Sequence, residues 1–170
     1  MRKIVFLALL AFALSAGTVF ADRQRVPNFT LTDQSGNTLQ FSDIVSGGRP
    51  VVLSFTASWC PGCRSKMPWL DRAYRDFGGN VRFVTLALAN GAEQTKRYIE
   101  ERGYALPVYI DSLHEGAMAF ALEFIPYTVL IDASGYIVTD AQGRLDEETL
   151  RKAIASLDLN TWRPRIRGER

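Results

Sequence analysis

Apolar and polar positions alternate through residues 29–32, stop at Asp33, Gln34, Ser35 and Gly36, and alternate again through 38–41, which predicts a small leading β-hairpin. Residues 51–55 read Val, Val, Leu, Ser, Phe without alternation, as expected of a central strand covered on both faces. The period then changes. Met67, Leu70, Tyr74 and Phe77 recur at helical spacing, with Gly78 and Gly79 as the stop and Pro68 expected to kink the helix. Residues 81–88 give a second buried strand, and Asn90 with Glu93 has the form of a capping box opening a helix that ends at Gly103. A short strand over 108–111 leads to a second capping pair, Ser112 and Glu115, ahead of a helix with Leu113, Ala117, Phe120 and Phe124 as its apolar face. Residues 128–132, the turn at Ala133, Ser134 and Gly135, and residues 136–139 predict an antiparallel hairpin. Asp146 caps a last helix whose stripe is Leu150, Ala153, Ile154 and Leu157. Strands alternating with helices place the chain in the α/β class, with a mostly parallel sheet and the final hairpin as an antiparallel edge.

The first 21 residues follow a different rule: Arg2 and Lys3, an apolar centre over 4–16, then Val19, Phe20 and Ala21 as a small-residue cleavage site. This is the pattern of an export signal, with cleavage expected after Ala21. The uncharged run 4–21 is 18 residues long, the lower edge of a membrane span, so an uncleaved N-terminal anchor is the alternative. Both readings put the remainder outside the cytoplasm, in the periplasm or its equivalent. Of 170 residues 149 then remain, one domain's worth, divided as a folded unit over 22–159 and a basic tail over 160–170. Without Arg2 and Lys3, the 20 basic residues fall to 18 against 18 acidic ones, so the mature chain is neutral and nucleic acid is not an expected partner. The tail, with Arg163, Arg165, Arg167 and Arg170, reads as solvated. A monomer is expected.

The chemistry concentrates in Trp59, Cys60, Pro61, Gly62, Cys63, between the strand at 51–55 and the helix at 64–77. These are the only two cysteines of the chain. At i, i+3 on the first turn of a helix the two sulfurs can meet, and the unpaired N–H groups and positive dipole end there favour thiolate. Such a pair can attack a partner's disulfide and then release the partner by closing its own. A structural disulfide is the bland alternative, but a bridge closing so short a loop gains little chain entropy. His114, the single histidine, stands far along the chain, and two cysteines plus one distant histidine make no convincing zinc site. Arg64 follows Cys63 where a c-type haem attachment motif needs histidine. No cofactor and no metal site are expected.

The ordered motifs resemble the TlpA/ResA-like branch of the thioredoxin superfamily. They are the opening segment 26–33, the block 50–63, Met67 with Pro68, the strand and helix between Val81 and Gly103, residues 106–108 leading to Asp111, and 125–128 leading to Ile131 and Asp132. The resemblance implies a thioredoxin fold, a central mixed β-sheet flanked by helices, with an N-terminal β-hairpin and an inserted β-α unit. It also implies exported thiol-disulfide oxidoreductase activity on protein disulfides and dithiols, in cytochrome c maturation or general envelope redox homeostasis, fed or drained by a membrane electron-donor or acceptor protein. By the same resemblance Cys60 is the exposed nucleophile, Cys63 the buried resolving thiol and Pro126 the cis-proline that leaves Ile125 to pair with an extended substrate segment. Trp59, Pro61 and Gly62 complete the substrate-facing surface.

Two positions depart from that pattern. Thioredoxin's buried aspartate aligns with Ser54, and the glutamate that ResA-like reductases carry three residues after the second cysteine is replaced by Lys66. With Arg64, Lys66 either adds positive charge beside the sulfurs, favouring thiolate and a more oxidising couple, or points into water. Two other classes of function stay open: a thiol peroxidase, though peroxidases of this superfamily place threonine where this chain has Ala57, and a copper-binding chaperone using both sulfurs with Met67 or His114.

Overall fold

The computed structural model describes residues 23–143 and 146–161; the predicted signal or anchor over 1–21 and the arginines of the basic tail lie outside them. Seven strands form one mixed sheet in the order β2-β1-β5-β4-β3-β6-β7. The leading hairpin is β1 (Thr30–Thr32) and β2 (Thr38–Gln40), closed by an Asx turn in which Asp33 accepts from the Ser35 and Asn37 N–H groups. A short helix, α1 (Phe41–Val45), follows it. The centre is β3 (Val51–Thr56), buried at every residue and paired in parallel with β4 (Arg82–Leu88), which pairs in parallel with β5 (Val108–Asp111).

On the other side of β3 runs β6 (Tyr127–Ile131), antiparallel to it and to the edge strand β7 (Ile137–Gln142). The sheet is therefore less parallel than the alternation of strands and helices implies. Parallel pairing is confined to β3, β4 and β5, because β1 joins β5 antiparallel and β6 meets β3 antiparallel.

Helix α2 (Pro61–Phe77) begins three residues before the periodic stretch and runs on through Pro68, burying Cys63, Lys66, Met67 and Leu70. It shares one face of the sheet with the last helix, α5 (Glu147–Thr161), whose Leu150 and Ile154 are fully buried. Asp146 caps α5 as expected, accepting from the Thr149 N–H. Helix α3 (Ala92–Glu101) completes that layer. The opposite face packs Phe29, Phe41, Phe55 and Tyr127 around β1, β3 and β6.

Two predicted helix starts are built differently. Asn90 caps nothing: Gly91, at φ 133°, occupies the N-cap of α3 without a side-chain bond, and the Asn90 carbonyl accepts from the Trp59 indole N–H at 3.0 Å. A Cβ on Gly91 would come within 3.1 Å of that indole, so close approach as well as φ calls for glycine. Helix α4 (Glu115–Ala119) is only five residues long and follows His114 in the left-handed region. Its first N–H groups are taken by Asp111 rather than Ser112, and the Glu115 carboxylate reaches the Thr30 N–H instead of its own helix. Leu113 and Phe124, expected on its buried face, are 63% and 65% exposed. Among the described residues no helix is long and apolar enough to cross a membrane.

Candidate active site

Strand β3 ends at Thr56, and four residues later Cys60 occupies the N-cap of α2 in extended conformation. Its sulfur accepts from the Cys63 N–H at 3.2 Å, in the place a serine or aspartate oxygen usually fills. Pro61 supplies the first helical residue, where a missing N–H costs nothing. The turn thus aims free helix N–H groups and the positive end of a 17-residue helix at one sulfur. Cys60 and Cys63 form a disulfide with Cα atoms 5.2 Å apart.

Cys60 is 5% exposed and Cys63 1%, so the expected exposed nucleophile is the more open of the two yet is itself covered, with Ile125 packed on the pair. The Ile125–Pro126 peptide is cis, and the Ile125 carbonyl oxygen lies 3.6 Å from the Cys60 sulfur. Among the described residues the Ile125 N–H has no hydrogen-bond partner, which leaves this backbone edge open to an incoming strand. Gly62 faces Pro126 so closely that a Cβ there would sit 3.1 Å from the proline ring. Trp59, 53% exposed, is held against the loop before α3 by its bond to Asn90 and stands at the rim. Arg64 is exposed and donates to the Ser58 carbonyl at 3.2 Å, outside the interior.

Lys66 is the residue whose placement the sequence left open, and it does not point into water. It is 3% exposed, one turn after Cys63 on the same face of α2, and its ammonium donates to the Thr128 hydroxyl at 2.7 Å. Thr128 in turn lies across from Ser54 in the β3–β6 register, with the two hydroxyls 3.4 Å apart. Ser54, Thr128 and Lys66 thus form a small polar chain under the disulfide turn. Lys66 makes no ion pair among the described residues. Burial alone pulls its ammonium down to about 8. Thr128 carries no chemical signature in the sequence, and only strand register brings it to Lys66.

A cavity of about 820 Å³ opens beside the disulfide turn, between Pro61, Gly62, Lys66 and Trp69 of α2, Pro126 and Asp146. His114 stands at the start of α4 and does not line this cavity.

The AhpC/TSA family model matches residues 23–140. The thiol-disulfide oxidoreductase ResA of Bacillus anthracis is 28% identical over 159 residues, covering 88% of this chain and 90% of that protein. Among solved structures, a thiol:disulfide interchange protein of the thioredoxin family from Chlorobium tepidum TLS superposes with a TM-score of 0.70 at 24% identity, covering 81% of this chain and 97% of that one. StoA from Bacillus subtilis gives 0.63 at 24% identity, covering 75% and 96%. These structural likenesses establish the thioredoxin-like α/β fold, and the family match is direct: the chain belongs to the AhpC/TSA family.

Proposed function

We propose that the protein is a thiol-disulfide oxidoreductase that exchanges disulfides with partner proteins through Cys60 and Cys63. The observation that carries this reading is the seat of the disulfide, at the N-cap of α2 and against the Ile125 carbonyl, where thiolate is favoured and an extended partner strand has a backbone edge to pair with. Relatives named as thiol-disulfide oxidoreductases and thiol:disulfide interchange proteins support it.

In one direction the Cys60 thiolate attacks a partner disulfide, forming a mixed disulfide and releasing one partner thiolate. Cys63, deprotonated, then attacks the Cys60 sulfur, the partner leaves as its second thiolate, and the protein ends oxidised by two electrons. The reverse sequence oxidises a partner dithiol. Cys60 is the attacking thiol because its sulfur receives the helix N–H and is the more open, and Cys63 resolves from beneath. Trp59, Pro61, Gly62, Ile125 and Pro126 form the surface over which the partner lies. The domain works outside the cytoplasm, released or held by the N-terminal segment, with a membrane protein supplying or removing electrons.

The test is catalysis of disulfide exchange, followed as reduction of insulin and as oxidation of a reduced, unfolded ribonuclease. Wild type should accelerate at least one of these, and Cys60→Ser should abolish it. Consumption of hydrogen peroxide without exchange would replace this reading with a peroxidase, and inertness in all three assays would remove it.

A further inference from the structure

The cavity beside the disulfide contains a charge the exchange reaction does not call for. An ammonium has three donors, Thr128 takes one, and the group sits where an unpaired charge is costly. The buried carboxylates of the molecule are handled otherwise. Asp111, Asp71 and Asp132 each accept from backbone N–H groups. Lys66 alone among the buried charges has neither a backbone partner nor an opposite charge in the described residues, and it lines an open cavity rather than a sealed core.

That cavity also touches Pro126 and Gly62, so a partner held with its cysteine at Cys60 places residues next to that cysteine over the cavity mouth. Trp69 supplies an apolar wall for the methylenes of such a side chain. We propose that the cavity is a subsite for a carboxylate borne by the partner polypeptide near its reactive cysteine, with Lys66 as the cation that receives it. The inference rests on the exchange reading and adds a preference for substrates with an aspartate or glutamate flanking the cysteine.

The other groups facing the cavity fit one receiving side. From α2, Ser65 is turned to its own helix, donating to the Gly62 carbonyl. From the strand side, Thr128 is neutral and Gly143 brings no side chain. At the start of α5, Asp146 is kept ionised by the Thr149 N–H and hydroxyl, which hold its carboxyl below the usual range. Asp146 therefore repels an anion on its side and directs the incoming carboxylate to Lys66.

The test uses reduced dithiol peptides, blocked at both ends and identical except for one residue within two positions of the attacking cysteine, which is Glu, Gln or Lys. Oxidised protein is mixed with each peptide and the loss of peptide thiols gives a second-order rate constant. At pH 7 the Glu peptide should react about tenfold faster than the Gln peptide from at least one flanking position. In Lys66→Gln the Glu-to-Gln ratio should fall to about one, whatever the variant does to both rates, and in Asp146→Asn it should rise. In wild type, which needs no altered fold, the ratio should decline as the pH is raised through about 8, where Lys66 loses its proton and Asp146 keeps its charge. Equal Glu and Gln rates at every flanking position would remove the subsite while leaving the exchange reading intact. A faster Lys peptide would assign the cavity to Asp146 and overturn the proposal. Inertness of all three peptides toward oxidised protein that reduces insulin in its dithiol form would overturn this inference alone, and inertness in every exchange assay would remove the exchange reading with it.

Discussion

Asp111 ends β5 with no exposed surface, and its two carboxylate oxygens take the N–H groups of Gly116 and Ala117 at 3.0 and 2.8 Å. Lys66 lies on α2 with 3% exposure, and its ammonium meets one neutral hydroxyl. Both are buried charges in a small domain. The first is solvated by backbone that would otherwise be orphaned at the start of α4, so charge and helix end stabilise each other. The second is left short of partners and set against a cavity next to the redox pair. A buried charge solvated by backbone belongs to the framework here, and a buried charge with a single neutral hydroxyl beside a cavity is where the proposed carboxylate docks.

The largest effect that would break this contrast is expected at Asp111. Asp111→Ala strands one buried and one part-buried N–H group, and an unsatisfied buried donor costs about 1–3 kcal/mol, so unfolding by urea should show a loss of about 2 kcal/mol or more. A loss below about 1 kcal/mol would mean that water replaces the carboxylate and that the two sites differ less than their geometry states.

Removing the Lys66 charge should act in the opposite direction. The folded protein holds this ammonium at about 8, against 10.5 for an ordinary lysine, so between those values the unfolded chain binds a proton that the folded chain does not. Stability therefore rises with pH across that window and carries the full penalty below about 8. Lys66→Met should be more stable than wild type at pH 7 by on the order of 2 kcal/mol, and the advantage should vanish by about pH 10.5. Destabilisation of the same size at pH 7 would show that the bond to Thr128 outweighs the cost of burying the charge.

A smaller effect is expected on the redox couple. An ammonium one turn from Cys63 stabilises thiolate, and with it the reduced form, which raises the potential. Lys66→Met should lower the potential of the couple by up to about 30 mV at pH 7, equivalent to about 1.4 kcal/mol for two electrons. Wild type and variant should converge above about pH 8, as Lys66 itself becomes neutral. Identical potentials across the whole range would confine Lys66 to binding.

What the sequence conveyed and what it concealed divide along similar lines. Periodicity located β3, β4, β6, α2 and α5, because the stripe of Met67 and Leu70 and the run at 51–55 report how many sides of an element are covered. The capping pairs misplaced the starts of α3 and α4: Gly91 rather than Asn90 occupies the N-cap of α3, and Asp111 rather than Ser112 takes the α4 N–H groups. Leu113 and Phe124 looked like a helical face because their spacing fits, but a five-residue helix has no room to bury them. At the site, the cysteine pair was legible from spacing and the cis peptide at Pro126 from resemblance, whereas the direction of Lys66 was not. A lysine one turn past Cys63 can follow its helix into solvent or reach under the strand, and the choice depends on Thr128 being delivered opposite Ser54 by the β3–β6 register.

Trapping the mixed disulfide tests the central claim most directly. Cys63→Ala removes the resolving thiol and leaves Cys60 at the N-cap of α2, so a partner or model disulfide peptide should accumulate on the protein as a stable adduct, with mass spectrometry placing it on Cys60. Cys60→Ala, with its remaining sulfur 1% exposed, should trap little or nothing. Adducts that form on Cys63 in Cys60→Ala and fail to form on Cys60 in Cys63→Ala would contradict the account.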